Sequence, residues 1–144
     1  MSNALLFLLF FAAWTLLLVC TIAAFRVVAV LRGERKANEF PAHEPHGGPF
    51  YRRLNRVHMN CVENLPVFGA VVLVTSVAQL DGPVLDLLAG LYVGARVLQS
   101  VIHLISTHPV AVNARFAAFF FQLACLTVMI IDVVVQAGNQ VMVP

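Results

Sequence analysis

Four long apolar runs with little polar sequence between them constrain this chain more than any other feature. The first extends from Ala4 to Phe25 without a charge and continues past Arg26 to Leu31; the others run from Val57 to Leu80, from Pro83 to Ser106 and from Val110 to Ala137. At about 1.5 Å of rise per residue, each can cross about 30 Å of hydrocarbon, which takes roughly 20 residues. The composition leaves no soluble alternative. Of the 144 residues, 60% are apolar and 11% charged, and the mean hydropathy is +0.88. Soluble domains are roughly 45–50% apolar and about 25% charged, and a globule this small has too little interior to hide the excess. Disorder is excluded too, because it needs low hydrophobicity and high net charge.

The connections set the topology. Asp81-Gly82 alone separates the second and third runs, and Thr107-His108-Pro109 the third and fourth, so these helices are expected to be antiparallel neighbours in tight hairpins. The expected fold is an all-α, integral-membrane, antiparallel four-helix bundle that forms a single domain over residues 1–144, with spans at about 4–31, 57–80, 83–106 and 110–137. No basic residue precedes the first run, and it is too long for a secretory h-region, so it reads as a retained anchor. Residues 33–56 form the one long connection, expected to be an ordered or semi-ordered loop at the membrane surface.

Of the nine Lys and Arg, Arg32, Arg35, Lys36, Arg52, Arg53 and Arg56 flank this loop. By the positive-inside rule the loop faces the cytoplasm and both termini face away from it. A net charge of +2 is too small to point to a nucleic-acid partner. Cys20, Cys61 and Cys125 all lie in apolar stretches and read as small core residues rather than a disulfide framework. His43, Glu44 and His46 sit in a Pro/Gly-rich stretch without a fourth ligand, which favours a solvated loop over a metal site.

Charges within spans are costly, by about 2.5–3.5 kcal/mol each, and tend to face protein or water. Here they are Arg26, Glu63, Arg96, Arg115 and Asp132. On the second run Arg56, Asn60, Glu63 and Val67 follow i, i+4, i+7, i+11; on the third, Tyr92, Arg96, Gln99 and His103 do the same, giving two polar stripes on adjacent helices. Counted from the Asp81-Gly82 turn, Glu63 lies about 26 Å along its helix, Arg96 about 20 Å and His103 about 30 Å. Glu63 is thus within reach of Arg96, and an ion pair that fixes helix register is one expected role for it. Arg32 and Arg115 fall at the same end. One carboxylate cannot neutralise Arg32, Arg96 and Arg115, so the expected pocket has surplus positive charge for an anionic ligand. Asp132, toward the opposite end, is accounted for only by interhelical hydrogen bonding or oligomer register. The Phe116 to Phe121 cluster reads as lipid-facing and packing surface.

The stretch from Arg52 to Pro66, with Arg56, then Asn60-Cys61-Val62-Glu63, then Pro66, resembles the signature of the MAPEG family, the membrane-associated proteins in eicosanoid and glutathione metabolism. His46-Gly47-Gly48-Pro49 is similar to the loop of its prostaglandin E synthase branch. The resemblance covers essentially the whole chain. It implies a homotrimer that binds glutathione between protomers near the cytoplasmic side, together with a lipophilic substrate and membrane lipid, in a bacterial inner membrane or the endoplasmic reticulum. It also implies a glutathione-dependent enzyme that conjugates lipophilic electrophiles or reduces lipid hydroperoxides. The alternative it allows is a noncatalytic lipid- or glutathione-binding scaffold. By position Arg32, Arg56, Asn60, Glu63, Arg96, Gln99 and His103 match glutathione-contacting places, and Arg115 matches the arginine that holds the thiolate; His103 is a second candidate for catalysis. Met59, Gln99 and His103 depart from the family pattern and argue against a specific eicosanoid activity. A transporter or channel is disfavoured because the polar residues gather at one end of the spans.

Overall fold

The computed structural model describes residues 1–40 and 47–142, the last two by their backbone alone. Four helices follow one another: α1 Asn3–Leu31, α2 Pro49–Val77, α3 Pro83–Ile105 and α4 Pro109–Met142. All four are long and apolar enough to cross a membrane. Two contacts fix the relative directions of the first three. The Ala4 amide donates to Asp86 Oδ1 at 2.7 Å and Asn3 Nδ2 to Asp86 Oδ2 at 2.9 Å, which brings the starts of α1 and α3 together. At the other end Arg53 Nε, near the start of α2, donates to the Leu104 carbonyl in the last turn of α3 at 3.0 Å. Asp86 therefore satisfies an amide of α1 that no residue of α1 accepts, a capping role carried across helices.

The helix termini differ from the expected boundaries for physical reasons. α2 begins at Pro49 rather than Val57, so the connection is shorter than residues 33–56. Gly48 supplies the extended N-cap and Pro49 occupies the first turn, where its missing amide costs nothing. The added two turns are amphipathic, with Tyr51, Leu54 and Val57 buried and Arg52 and Arg56 exposed; a search for unbroken apolar runs overlooks a helix segment of this composition. α2 ends at Val77 rather than Leu80. Gln79, at φ 56°, turns the chain so that its amide donates to Ser76 O and that of Leu80 to Thr75 O, a Schellman closure without its usual glycine. The connection between α2 and α3 is thus residues 78–82. Gly33 closes α1 in the same way, with bonds from residues 33 and 34 to Val30 O and Ala29 O. α4 continues past Ala137 to Met142.

The packing places α2 and α3 between the other two helices. α3 lies mostly against α4, α1 packs on α2 and α3, and among the described residues α1 and α4 do not touch. The core is aromatic where three helices meet. The Phe68 and Tyr92 rings stack at 4.5 Å and Phe11 stands edge-on to both, at 6.0 and 6.3 Å. Gly90 admits α1 to α3, since a Cβ there would lie 2.9 Å from the Phe7 ring. Cys61 and Cys125 are buried as expected of core residues; Cys20 instead faces outward, and all three are free thiols. Only 22–28% of each span's most apolar window is buried, so most of the outer apolar surface is left for lipid or for neighbouring protein.

Candidate functional site

The α3 stripe points inward. Tyr92, Arg96, Gln99 and Ser100 are all buried, and Arg96, at 1% exposure, lies as deep in the bundle as the core aromatics. Its Nη1 donates to Gln99 Oε1 at 2.9 Å. Gln99 is in turn fixed to α4, because its Nε2 donates to the Arg115 carbonyl at 2.9 Å. Gln122 Nε2 adds a second donor to Gln99 Oε1 at 3.1 Å and also reaches the Ala118 carbonyl at 2.9 Å. Both lone pairs of Gln99 Oε1 are thereby used.

This network leaves Arg96 incompletely satisfied. Its Nε and Nη2 are buried without a hydrogen-bond partner, as is Gln122 Oε1. Each such group costs about 1–3 kcal/mol, more when charged. Nor does a carboxylate balance the guanidinium: among the described residues the one ion pair joins Arg32 to Glu34, at 3.9 Å on the surface. The expected Glu63–Arg96 pair does not form. Glu63 shares the outward face of α2 with Arg56 and Met59 and is exposed, because the buried face of that helix carries Leu54, Val57, Cys61 and Phe68.

Glu63 and Arg96 nonetheless border one cavity of about 280 Å³, which gathers Asn60, Glu63 and Asn64 from α2, Arg96, Gln99 and His103 from α3, and Val112, Arg115, Phe116 and Phe119 from α4. Six of the eight residues singled out in the sequence therefore converge: Asn60, Glu63, Arg96, Gln99, His103 and Arg115. Arg56 is exposed on α2 and does not line this cavity, although it stands near enough to act on His103 electrostatically, as do Arg53 and Arg115. Arg32 does not join it either. It follows the end of α1, which has no contact with α4, and it lines a different cavity beside Glu34.

Four lining or bracing residues, Asn64, Gln122, Phe116 and Phe119, were not among the site residues expected from the sequence. Asn64 accepts from the Tyr92 hydroxyl at 3.4 Å and donates to the Asn60 carbonyl at 2.8 Å, linking the two stripes. Gln122 lies seven residues after Arg115, on the same helical face; that spacing in an otherwise apolar run was its available signal. Phe116 and Phe119 line the cavity, while Phe116, Phe120 and Phe121 are exposed on the outside of the bundle. Asp132 accepts from Gln136 Nε2 at 2.7 Å, a bond within α4 rather than between helices. Among the described residues no group of His, Cys, Asp and Glu could hold a metal ion; His43, Glu44 and His46 lie outside the described residues.

The site is thus a half-open polar cavity at one end of a membrane bundle, with an uncompensated buried guanidinium on its inner wall and a single carboxylate at its rim. Chemically it can take an anion on Arg96, a cationic group beside Glu63 and a second anionic centre beside Arg115. A comparison with curated proteins gives no match. The sequence pattern of the MAPEG family matches residues 4–135, which takes in α1, α2 and α3 almost entirely and α4 through Val135, and the chain belongs to that family of multi-pass membrane proteins tied to glutathione or eicosanoid metabolism.

Proposed function

We propose that the protein is a glutathione-dependent membrane enzyme, which conjugates glutathione to lipophilic electrophiles or uses it to reduce lipid hydroperoxides. The observation that carries this reading is Arg96, a buried guanidinium with Nε and Nη2 unpartnered on the wall of a polar cavity. Glutathione has two carboxylates, an ammonium and a thiol. Arg96 would take a carboxylate through its free N–H edge, Glu63 the ammonium, and Asn60 a peptide group. Gln99 has most of its capacity committed to Arg96, Gln122 and the Arg115 carbonyl, so its role is to hold Arg96 in place. His103, which lines the cavity, would hydrogen-bond the thiol or the second substrate.

The chemistry requires a thiolate. A thiol of pKa about 8.5 is only about 3% ionised at pH 7, and at a pKa of about 6.5 it is roughly three quarters ionised. Arg115 would supply that stabilisation as a fixed cation, without exchanging a proton. The electrophile would arrive from the bilayer side, past Phe116 and Phe119. The basic end faces the cytosol by the positive-inside rule, where glutathione is available. A homotrimer, as in the family, would close the open rim and bring Arg32 or Arg56 of a neighbouring copy toward the ligand.

Calorimetric titration of the detergent-solubilised protein with glutathione tests the binding; saturable binding that is lost in Arg96→Gln is expected. Ultraviolet thiolate absorbance on mixing tests the catalytic half. Binding without ionisation would replace the enzyme by a noncatalytic glutathione-binding scaffold, and absence of binding would overturn both.

A further inference from the structure

A second cationic cavity lies at the same end of the bundle, on the side away from α4. It measures about 540 Å³ and is formed by the end of α1, the segment after it and the start of α2. Among the described residues Arg26, Arg32 and Arg35 border it, with Glu34 as the one carboxylate. Glu34 stands beside Arg32, which leaves Arg26 and Arg35 without an acidic partner among the described residues.

Arg26 is held rather than free. Its Nε donates to the Tyr51 hydroxyl at 2.8 Å, and its guanidinium lies 5.5 Å from the centroid of the Phe40 ring. Its remaining N–H groups make no further described bond. Tyr51 is in turn seated by Gly47, at φ 77°, where a Cβ would come within 2.8 Å of the tyrosine ring. A glycine is thus needed there for both conformation and space.

Depth identifies the ligand chemistry. α1 has 29 residues, about 43 Å of helix, which matches the 40–45 Å of a bilayer with its headgroups. Arg26 lies five residues, about 7.5 Å, before Leu31, at the boundary between hydrocarbon and headgroups, and Arg32 and Arg35 follow the end of the helix. Below and beside these cations the wall is apolar. Phe25 and Val28 border the cavity itself, while Arg26 and Phe40 also border an adjoining hollow of about 410 Å³ with Val27, Val30 and Leu31. A cationic shelf at phosphate depth above an apolar bed matches a phosphodiester headgroup and its acyl chains, and the surplus positive charge of the described lining selects a lipid of net negative charge.

We propose that this cavity is a binding site for an anionic phospholipid, with Arg26 and Arg35 on the phosphate and the α1 face beneath them on the acyl chains. It is separate from the Arg96 cavity and does not depend on the reading given to that site.

Native mass spectrometry of the full chain released from bilayers of equal parts phosphatidylcholine and phosphatidylglycerol tests it. Retention of phosphatidylglycerol over phosphatidylcholine is expected, weakened about ten-fold or more in both Arg26→Gln and Arg35→Gln and unchanged in Arg96→Gln. Arg35→Gln alters a residue beyond the end of α1 and keeps the test valid if Arg26→Gln fails to fold. Equal retention of the two lipids, or retention indifferent to Arg35, overturns the proposal. So does inorganic phosphate that competes as strongly as the lipid, which would make the ligand a free anion. A loss of glutathione binding in Arg35→Gln with lipid retention intact would assign the cavity to glutathione instead.

Discussion

Arg56, Asn60 and Glu63 on α2 and Tyr92, Arg96 and Gln99 on α3 follow the same helical spacing, yet the two stripes differ in burial. On α3 all three are buried; on α2 Asn60 is half-buried and Arg56 and Glu63 are exposed. The difference comes from what shares each helix. α2 has a competing apolar stripe, Leu54, Val57, Cys61 and Phe68, which takes the interior. On α3 the apolar Leu85 and Ala89 continue directly into Tyr92, Arg96 and Gln99, so burying the first carries the others inside. The inner stripe is expected to bind a ligand at the expense of stability, and the outer one to tune the ligand with little structural effect.

The largest effect should follow from removing the inner cation. Arg96→Met is expected to weaken glutathione binding at least about 100-fold, as for a lost buried charge contact, while making the unliganded protein more stable by about 1–3 kcal/mol. Calorimetry and thermal unfolding read the two together; a variant that loses both binding and stability would show Arg96 to be structural. Arg115→Ala should come next, lowering the bound thiolate from roughly three quarters to about 3% at pH 7, some 25-fold, with glutathione still bound. Undiminished thiolate absorbance would remove Arg115 from the mechanism.

Glu63→Gln tests the outer stripe. Glutathione binding should weaken about ten-fold through the lost ammonium contact, whereas stability should change by less than about 0.5 kcal/mol, as for an exposed position. A large loss of stability would mean that Glu63 has a structural partner after all. The smallest effect is expected at the link between the stripes. Tyr92→Phe removes a hydroxyl whose bond to Asn64 is long, 3.4 Å, and keeps the ring stacked on Phe68, so unfolding should cost less by under about 1 kcal/mol. A larger loss would place the Tyr92 hydroxyl, rather than the aromatic core, in charge of the α2–α3 contact.

Much of the site was legible because helical spacing is a local property. Asn60 and Glu63, and Arg96, Gln99 and His103, fall on common faces from their numbers alone, and depth counted from the connecting turn brings the two sets level. What spacing cannot express is the rotation of each helix about its axis. That rotation separated Glu63 from Arg96 and carried Arg32 to another cavity. Gln122 and Asp86 were missed for a related reason, since each acts on a helix other than its own. Asp86 lies in the first turn of α3 and reads as a favourable charge at its own helix start, while its recorded bonds are to the start of α1.

By itself the sequence determined the four spans, their alternating direction and the end at which the polar residues gather, because each depends on chain length, rise per residue and the cost of placing charge in hydrocarbon. Tertiary structure alone decided which guanidinium is buried without a counterion, which carboxylate stays at the rim, and that Arg32 borders a different cavity from Arg96. Those outcomes depend on how the apolar faces of four helices compete for a shared interior, and no single helix contains that information.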